Sequence, residues 1–312
     1  MLKHLQHHEI DRQKWDACVA ASAERMVYAF SWYLDVVCQK QWEGLVEEQE
    51  GIYTAVLPLP VKKRFWLKQV YQPFFTQQLG LFQTSKSKAN LEAFLKQIPQ
   101  NYLKIYLQLN TKNILSGAVP SFTIQKRINY HLPLNKPYQQ LYQSYATNQK
   151  RNLKKAKTAG LLIAPATDIG MVVTLFRENK GKELQEVKPK HYKVLQQLYH
   201  TAKKHQAAAL WQVTQNNKLL AAAFFLVQSG KIIFLFGASS EAGKKAGAMA
   251  FLLDSVIQQH AGQNLVLDFE GSNVPGVAKF YANFGAAPVT YLSLSREKLP
   301  WYIKWISRSF IF

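Results

Sequence analysis

The stretch from Leu265 to Ala286, LVLDFEGSNVPGVAKFYANFGA, leaves few conformations open. Leu265, Leu267 and Phe269 alternate with Val266, Asp268 and Glu270, the period of a strand, and the alternation puts Asp268 and Glu270 on one side. Gly271 and Ser272 come next as a turn, then Asn273 as a helix cap and Pro275 in the first helical turn. Val277, Phe280, Tyr281 and Phe284 then share one helical face, and Gly285 ends the helix in left-handed geometry. A strand with a polar end that feeds a helix is the unit of an α/β sheet, and such sheets take ligands at the carboxyl ends of their strands.

A chain of 312 residues is long for one core and comfortable for two domains. With 48% hydrophobic and 19% charged residues it is globular in composition. Its 39 basic and 19 acidic residues give a net charge of +20. A field of that sign attracts nucleic acid, nucleotide-linked sugars, coenzyme phosphates or an acidic membrane face, or it is a solvated basic surface with no ligand. Two cysteines, Cys18 and Cys38, show no metal spacing and point to a reducing cytoplasm. The eight histidines show no zinc-like partner set, so no metal is expected. The start of the chain lacks the apolar core of a signal peptide, and no apolar run is long enough to span a bilayer. The tail 299–312, LPWYIKWISRSFIF, is basic and aromatic. It either lies in a membrane interface, with Lys304 and Arg308 at lipid phosphates, or packs back over an apolar groove.

Two halves share the same order of elements. The first predicts a helix near Asp11–Ala23, strands at Leu45–Glu50, Gly51–Leu59 and Phe65–Tyr71, a helix at Ala89–Ile98, and strands at Leu103–Leu109 and Ser121–Leu132. The second predicts helical segments over Lys136–Ala159, a strand at Leu161–Ala164, helices at Asp168–Asn179 and Lys190–Lys204, and strands at Ala208–Thr214, Leu219–Gln228 and Lys231–Ala238. A helix at Gly243–His260, the strand and helix of Leu265–Ala286, and a last strand near Pro288–Leu294 complete it. Asn216–Asn217 and Ser229–Gly230 read as tight hairpin turns. The fold class implied is α/β (α+β), with a domain over 1–134, a second over 135–298 and the tail 299–312.

Three segments carry a family resemblance: 145–163, YATNQKRNLKKAKTAGLLI; 236–257, FGASSEAGKKAGAMAFLLDSVI; and 266–286, VLDFEGSNVPGVAKFYANFGA. With the element order of the second half, they resemble the GNAT acyltransferase fold, and two such units in tandem resemble its FemAB-like branch. The resemblance implies two tandem GNAT-like domains, each a mixed, mostly antiparallel sheet flanked by helices. It also implies transfer of an acyl or aminoacyl group to an amine. FemAB proteins take amino acids from charged tRNA to the peptide stem of peptidoglycan precursors, whereas ordinary GNAT enzymes take the acyl group from coenzyme A.

Each segment implies residues for that chemistry. On the basic helix, Lys150, Arg151, Lys154, Lys155 and Lys157 suit phosphates, while Leu153 and Ala156 face the core. The resemblance singles out Arg151, Asn152 and Lys155. In coenzyme A-dependent GNAT proteins the helix after the second segment's strand binds a pyrophosphate through its amides. Ser239, Lys244, Lys245 and Gly247 are the implied binding residues here, although Met249 stands where the family pattern has Gly or Ala. In the third segment Tyr281 has the spacing of the GNAT tyrosine that protonates the leaving thiolate, yet it shares an apolar helix face. Asp268 and Glu270 are the candidates for binding the amine or removing its proton, through a raised pKa or a water.

The expected activity is therefore N-acyl transfer, with a peptidoglycan-precursor peptide or amino sugar as the anionic acceptor. The co-substrate is acyl-CoA or charged tRNA, and no tightly bound cofactor is expected. The expected location is the cytoplasm, with peripheral contact at the inner membrane face through the tail. The competing reading is a non-catalytic GNAT-fold protein that binds an anionic ligand or a membrane surface.

Overall fold

The computed structural model describes residues 2–64, 67–115, 117–182, 187–271 and 274–298. The tail 299–312, and with it any membrane contact, lies outside the described residues, as do Ser272 and the cap expected at Asn273. Contacts divide the chain into two compact units, one running to Arg127 and including the chain again from Thr290, the other Ile128–Val289.

In the first unit β1 (Leu2–Leu5), β2 (Trp42–Gln49), β3 (Ile52–Arg64) and β4 (Leu67–Val70) are successive antiparallel neighbours. The short β5 (Phe82–Gln83) pairs with β3, and β6 (Tyr102–Gln108) runs parallel to β4. Before β2 stand α1 (Arg12–Ala21) and α2 (Ser31–Val37), and α3 (Leu91–Lys96) precedes β6. The Asp11 carboxylate accepts from the amides of Gln13 and Lys14, and so starts α1 where the sequence placed it. Asn90 caps α3, whose Leu91, Phe94 and Leu95 enter the core with Leu57, Leu59, Ile105 and Leu107. The sequence did not predict α2 or β1. Seven and four residues are too short for a period to register against background.

The second unit begins on β7 (Thr123–Pro133), whose last six residues belong to it. The helical signal over Lys136–Ala159 resolves into α4 (Tyr138–Gln143) and α5 (Thr147–Thr158). Next come β8 (Leu162–Pro165), α6 (Ile169–Glu178), α7 (Pro189–Lys204), β9 (Ala208–Gln215), β10 (Lys218–Gln228) and β11 (Lys231–Ser239). Asn216 and Asn217 (φ 48° and 60°) make the first hairpin turn, and Ser229 and Gly230 (φ 56° and 76°) the second. The single helix expected at Gly243–His260 is two, α8 (Glu241–Ala246) and α9 (Ala248–His260). Gly247 separates them at φ 73°, a left-handed conformation that costs other residues strain. The chain continues through β12 (Val266–Asp268), α10 (Pro275–Ala282) and β13 (Ala287–Glu297). The far half of β13, Ser293–Glu297, pairs with β6 within the first unit.

Strand order in the second unit is β7-β12-β11-β10-β9-β8, antiparallel except for the parallel pair β11–β12. One face buries Leu132, Ile232, Leu267 and Phe269 beneath α5, α9 and α10, with Leu153, Ala156, Leu253 and Phe284. Leu153 and Ala156 face the core, as their spacing implied. Over the other face α6 packs on β10 and β11, where Phe176 meets Phe236 at 4.7 Å. Each unit is thus a mixed, mostly antiparallel sheet flanked by helices, and the chain is α/β.

Candidate functional site

Two adjacent parallel strands of the second unit come apart. β11 and β12 pair only through Lys231–Val266, Ile232–Leu267 and Ile233–Asp268. Beyond Ile233, β11 continues to Ser239 past the end of its pairing with β12. Its register with β10 slips where Phe224 faces Phe236 but Phe225 faces Phe234, leaving Leu235 as the extra residue of a bulge. A bulge bends its strand and increases the local twist, which turns β11 away from β12. The fork that results exposes backbone groups of β11 at the carboxyl ends of two parallel strands.

Asp268 stands at the apex of the fork. It points away from Leu267 and Phe269, because successive strand residues alternate faces. It is 1% exposed. Directly across β12 is His131 of β7, whose Nε2 lies 3.1 Å from Asp268 Oδ2. Asn129, two residues back on the same face, donates from Nδ2 to Asp268 Oδ1 at 2.9 Å. The amide of Glu270 donates to the same oxygen at 2.9 Å, and Lys231 Nζ lies 3.7 Å from Oδ2. Burial alone would raise the pKa. The His131 hydrogen bond and charge, with Lys231 and Asn129, outweigh it and lower Asp268 from 3.8 to about 2. Asp268 is therefore a fixed anion and a poor base. The raised value expected for proton removal is not what the structure shows.

The other carboxylate follows in the turn after β12, and the tyrosine packs on the opposite face of that strand. Glu270 takes φ 57° and Gly271 φ 48°, so the chain leaves β12 through two left-handed residues. A Cβ on Gly271 would lie 2.3 Å from the Ile128 carbonyl oxygen and 2.4 Å from the Asn129 Cα, so only glycine lets this turn press against β7. The Tyr281 ring stacks on Phe269 at 4.8 Å and meets Phe234 edge-on at 6.3 Å. Burial, with a smaller contribution from the Glu270 charge, pushes its phenol well above the ordinary range. Tyr281 is packed as a core residue, the alternative its helix face implied.

The remaining sequence candidates gather on α5, α8 and the α8–α9 junction. Arg151, Lys154, Lys155, Thr158 and Ala159 line a shallow open hollow of about 470 Å³. A Cβ on Gly247 would stand 3.3 Å from the Asn152 carbonyl oxygen, so Asn152 and Gly247 are brought together. On α8 the Gly243 amide is taken by Ser240 Oγ at 3.0 Å, and Lys244 pairs with Glu241 at 2.5 Å. Lys245 is exposed and Ser239 half-buried at the end of β11. The sequence did not single out His131, Asn129 or Lys231. A polar residue within an apolar alternation carries no message until strand register supplies its partner.

Residues 143–275, which hold the fork, Asp268, α5 and α8, match the family described as "Acetyltransferase (GNAT) domain". Fold and family model agree on the class of architecture: a GNAT fold. No curated protein gives a sequence match. Solved structures match across nearly the whole chain. FemX is 12% identical with a TM-score of 0.70, covering 97% of this chain and 99% of its own. L-PGS from Bacillus licheniformis is 12% identical with a TM-score of 0.54, covering 95% of each. A tandem GNAT protein from the clavulanic acid biosynthesis pathway, solved without AcCoA, is 11% identical with a TM-score of 0.53, covering 96% and 99%. Within the class, the chain resembles the FemAB-like branch, with two GNAT-like domains in tandem.

Proposed function

We propose that this protein is an N-acyltransferase that passes an acyl or aminoacyl group to the amine of an anionic cell-wall precursor, a peptide or an amino sugar. The observation that carries the reading is the fork between β11 and β12 with a buried anionic centre at its apex. The β11 backbone beyond its last pairing with β12 at Ile233 borders the place where an acyl carbonyl would be polarised, and a charged face lies beside it for an amine. The basic hollow on α5 suits the phosphates of the donor or the acceptor. The likeness to FemX and to L-PGS in fold supports an aminoacyl acceptor chemistry of this kind. Acyl-CoA and charged tRNA are the two donor classes. A coenzyme pyrophosphate at α8 would share the Gly243 amide with Ser240. Glu270 and the residues Arg151, Asn152, Lys155, Ser239, Lys244, Lys245 and Gly247 are assigned to substrate contact in this proposal.

The test is a thermal-shift panel of acyl-CoA species, UDP-linked muramyl peptides and charged tRNA, and then a transfer assay with the hits. A ligand held at a hundred times its Kd adds about 2.7 kcal/mol to stability, so a true co-substrate raises the melting point clearly. Binding of a precursor without transfer from either donor would instead establish the non-catalytic binding protein.

A further inference from the structure

Among the described residues around Asp268, the histidine is the side chain suited to relay a proton. Asp268 is ionised, so its Oδ2 faces His131 Nε2 at 3.1 Å with lone pairs. A bare Nε2 there would be repelled. The Asn129 amide nitrogen also stands 3.0 Å from Nε2 and carries a second hydrogen beside the one given to Oδ1, but it is neutral, and the full charge of the carboxylate decides the ring proton. When the ring is neutral, its single proton therefore sits on Nε2, donated to the carboxylate, and Nδ1 is left as an acceptor. Asn129 Nδ2 and the Glu270 amide occupy the other carboxylate oxygen, and Lys231 stands behind Oδ2, so Asp268 cannot turn away from the ring. The His131 side chain is 15% exposed, whereas that of Asp268 is 2% exposed. No described residue bonds Nδ1. A buried carboxylate that orients an imidazole, with the far nitrogen free, is the arrangement of a histidine base held by a third group.

We infer that His131 Nδ1 is the proton acceptor of the transfer reaction and that Asp268 is its positioning residue. The inference rests on the acyltransferase reading above. The amine nitrogen attacks the carbonyl carbon of an activated ester or thioester. The N–C bond forms, the carbonyl-to-oxygen or carbonyl-to-sulfur bond breaks, and the amine proton passes to Nδ1. The same proton then goes to the departing oxygen or sulfur, which leaves His131 neutral and the products an amide and an alcohol or thiol. Lys231 keeps Asp268 anionic, so the carboxylate stabilises the imidazolium without taking its proton.

The experiment has two readouts on the full chain. Long-range nitrogen–proton NMR of histidine-labelled protein reports the tautomer without any ligand. The expected result is Nε2–H with a bare Nδ1 at pH 7.5, and loss of that preference in Asp268→Asn. A protonated Nδ1 with a bare Nε2 overturns the inference by itself. Transfer is then measured with the donor and acceptor that the panel selects. His131→Gln, which keeps a donor toward Asp268, is expected to lose 100-fold or more in kcat with KM within threefold. Its residual rate is also expected to lose the acid limb of the wild-type pH profile. The charged groups that face the centre are Asp268 on β12 and Lys231 on β11, with Glu270 beyond them. An active wild type with an equally active His131→Gln sinks the histidine and spares the acyltransferase. A wild type that transfers nothing from either donor class brings down both.

Discussion

At Asp268, burial and hydrogen bonding pull in opposite directions, and the hydrogen bonds win. The consequence can be measured. Its folded value of about 2 lies below the ordinary 3.8, so the carboxylate stabilises the fold fully above about pH 5 and loses that contribution as pH falls from 3.8 to 2. The shift corresponds to roughly 2 kcal/mol. Urea denaturation of wild type and Asp268→Asn at pH 7 and at pH 2.5 should show a gap of that order at neutral pH that narrows sharply in acid. An unchanged gap would mean that the carboxylate is not held ionised. Glu43 in the first unit repeats the pattern. It is buried, yet hydrogen bonds from His4, Lys68 and Tyr102 lower it from 4.5 to about 2. Glu43→Gln should lose its stability difference over the same acid range.

Short elements carry the geometry that matters. β12 has three residues, and the chain leaves it at once through the turn at Glu270 and Gly271. Gly271→Ala would force a methyl into the backbone of Ile128 and Asn129 and strain a left-handed residue, so a loss of about 2–3 kcal/mol is expected in chemical denaturation. Because this turn sets the His131–Asp268 register, the same variant should lose transfer out of proportion to stability. Gly247→Ala is a milder case. Its nearest neighbour, the Asn152 carbonyl oxygen, lies at 3.3 Å, so the left-handed strain of about 1 kcal/mol should dominate. The α8–α9 break explains why period alone read one helix there. The interruption at Gly247 is recorded in its backbone angle.

At the scale of the whole molecule, a net charge of +20 sets a field but not a site. The hollow on α5 gives part of that charge a place. Reversing Arg151, Lys154 and Lys155 to Glu should weaken binding of the anionic co-substrate tenfold or more and flatten its salt dependence, with little change in melting point, since Leu153 and Ala156 hold the helix to the core. Unchanged affinity would show that the hollow is only a solvated basic face. Among the described residues, no helix is long and apolar enough to cross a membrane.

Local physics is legible in a sequence because it repeats over short distances. Alternation marked the strands, Asp11 marked the start of α1, and Asn216–Asn217 marked a hairpin. The order of those elements, with three segments of resemblance, was enough for the GNAT class and for Asp268 as the residue to examine. What Asp268 does was decided elsewhere in the chain. His131 and Asn129 lie more than a hundred residues upstream of it, and antiparallel register alone sets them against it. The sequence by itself determined which residues alternate, cap and turn. Only the tertiary structure decided which polar groups meet in a buried place, where low dielectric and fixed partners turned an expected base into a fixed anion and brought forward a histidine.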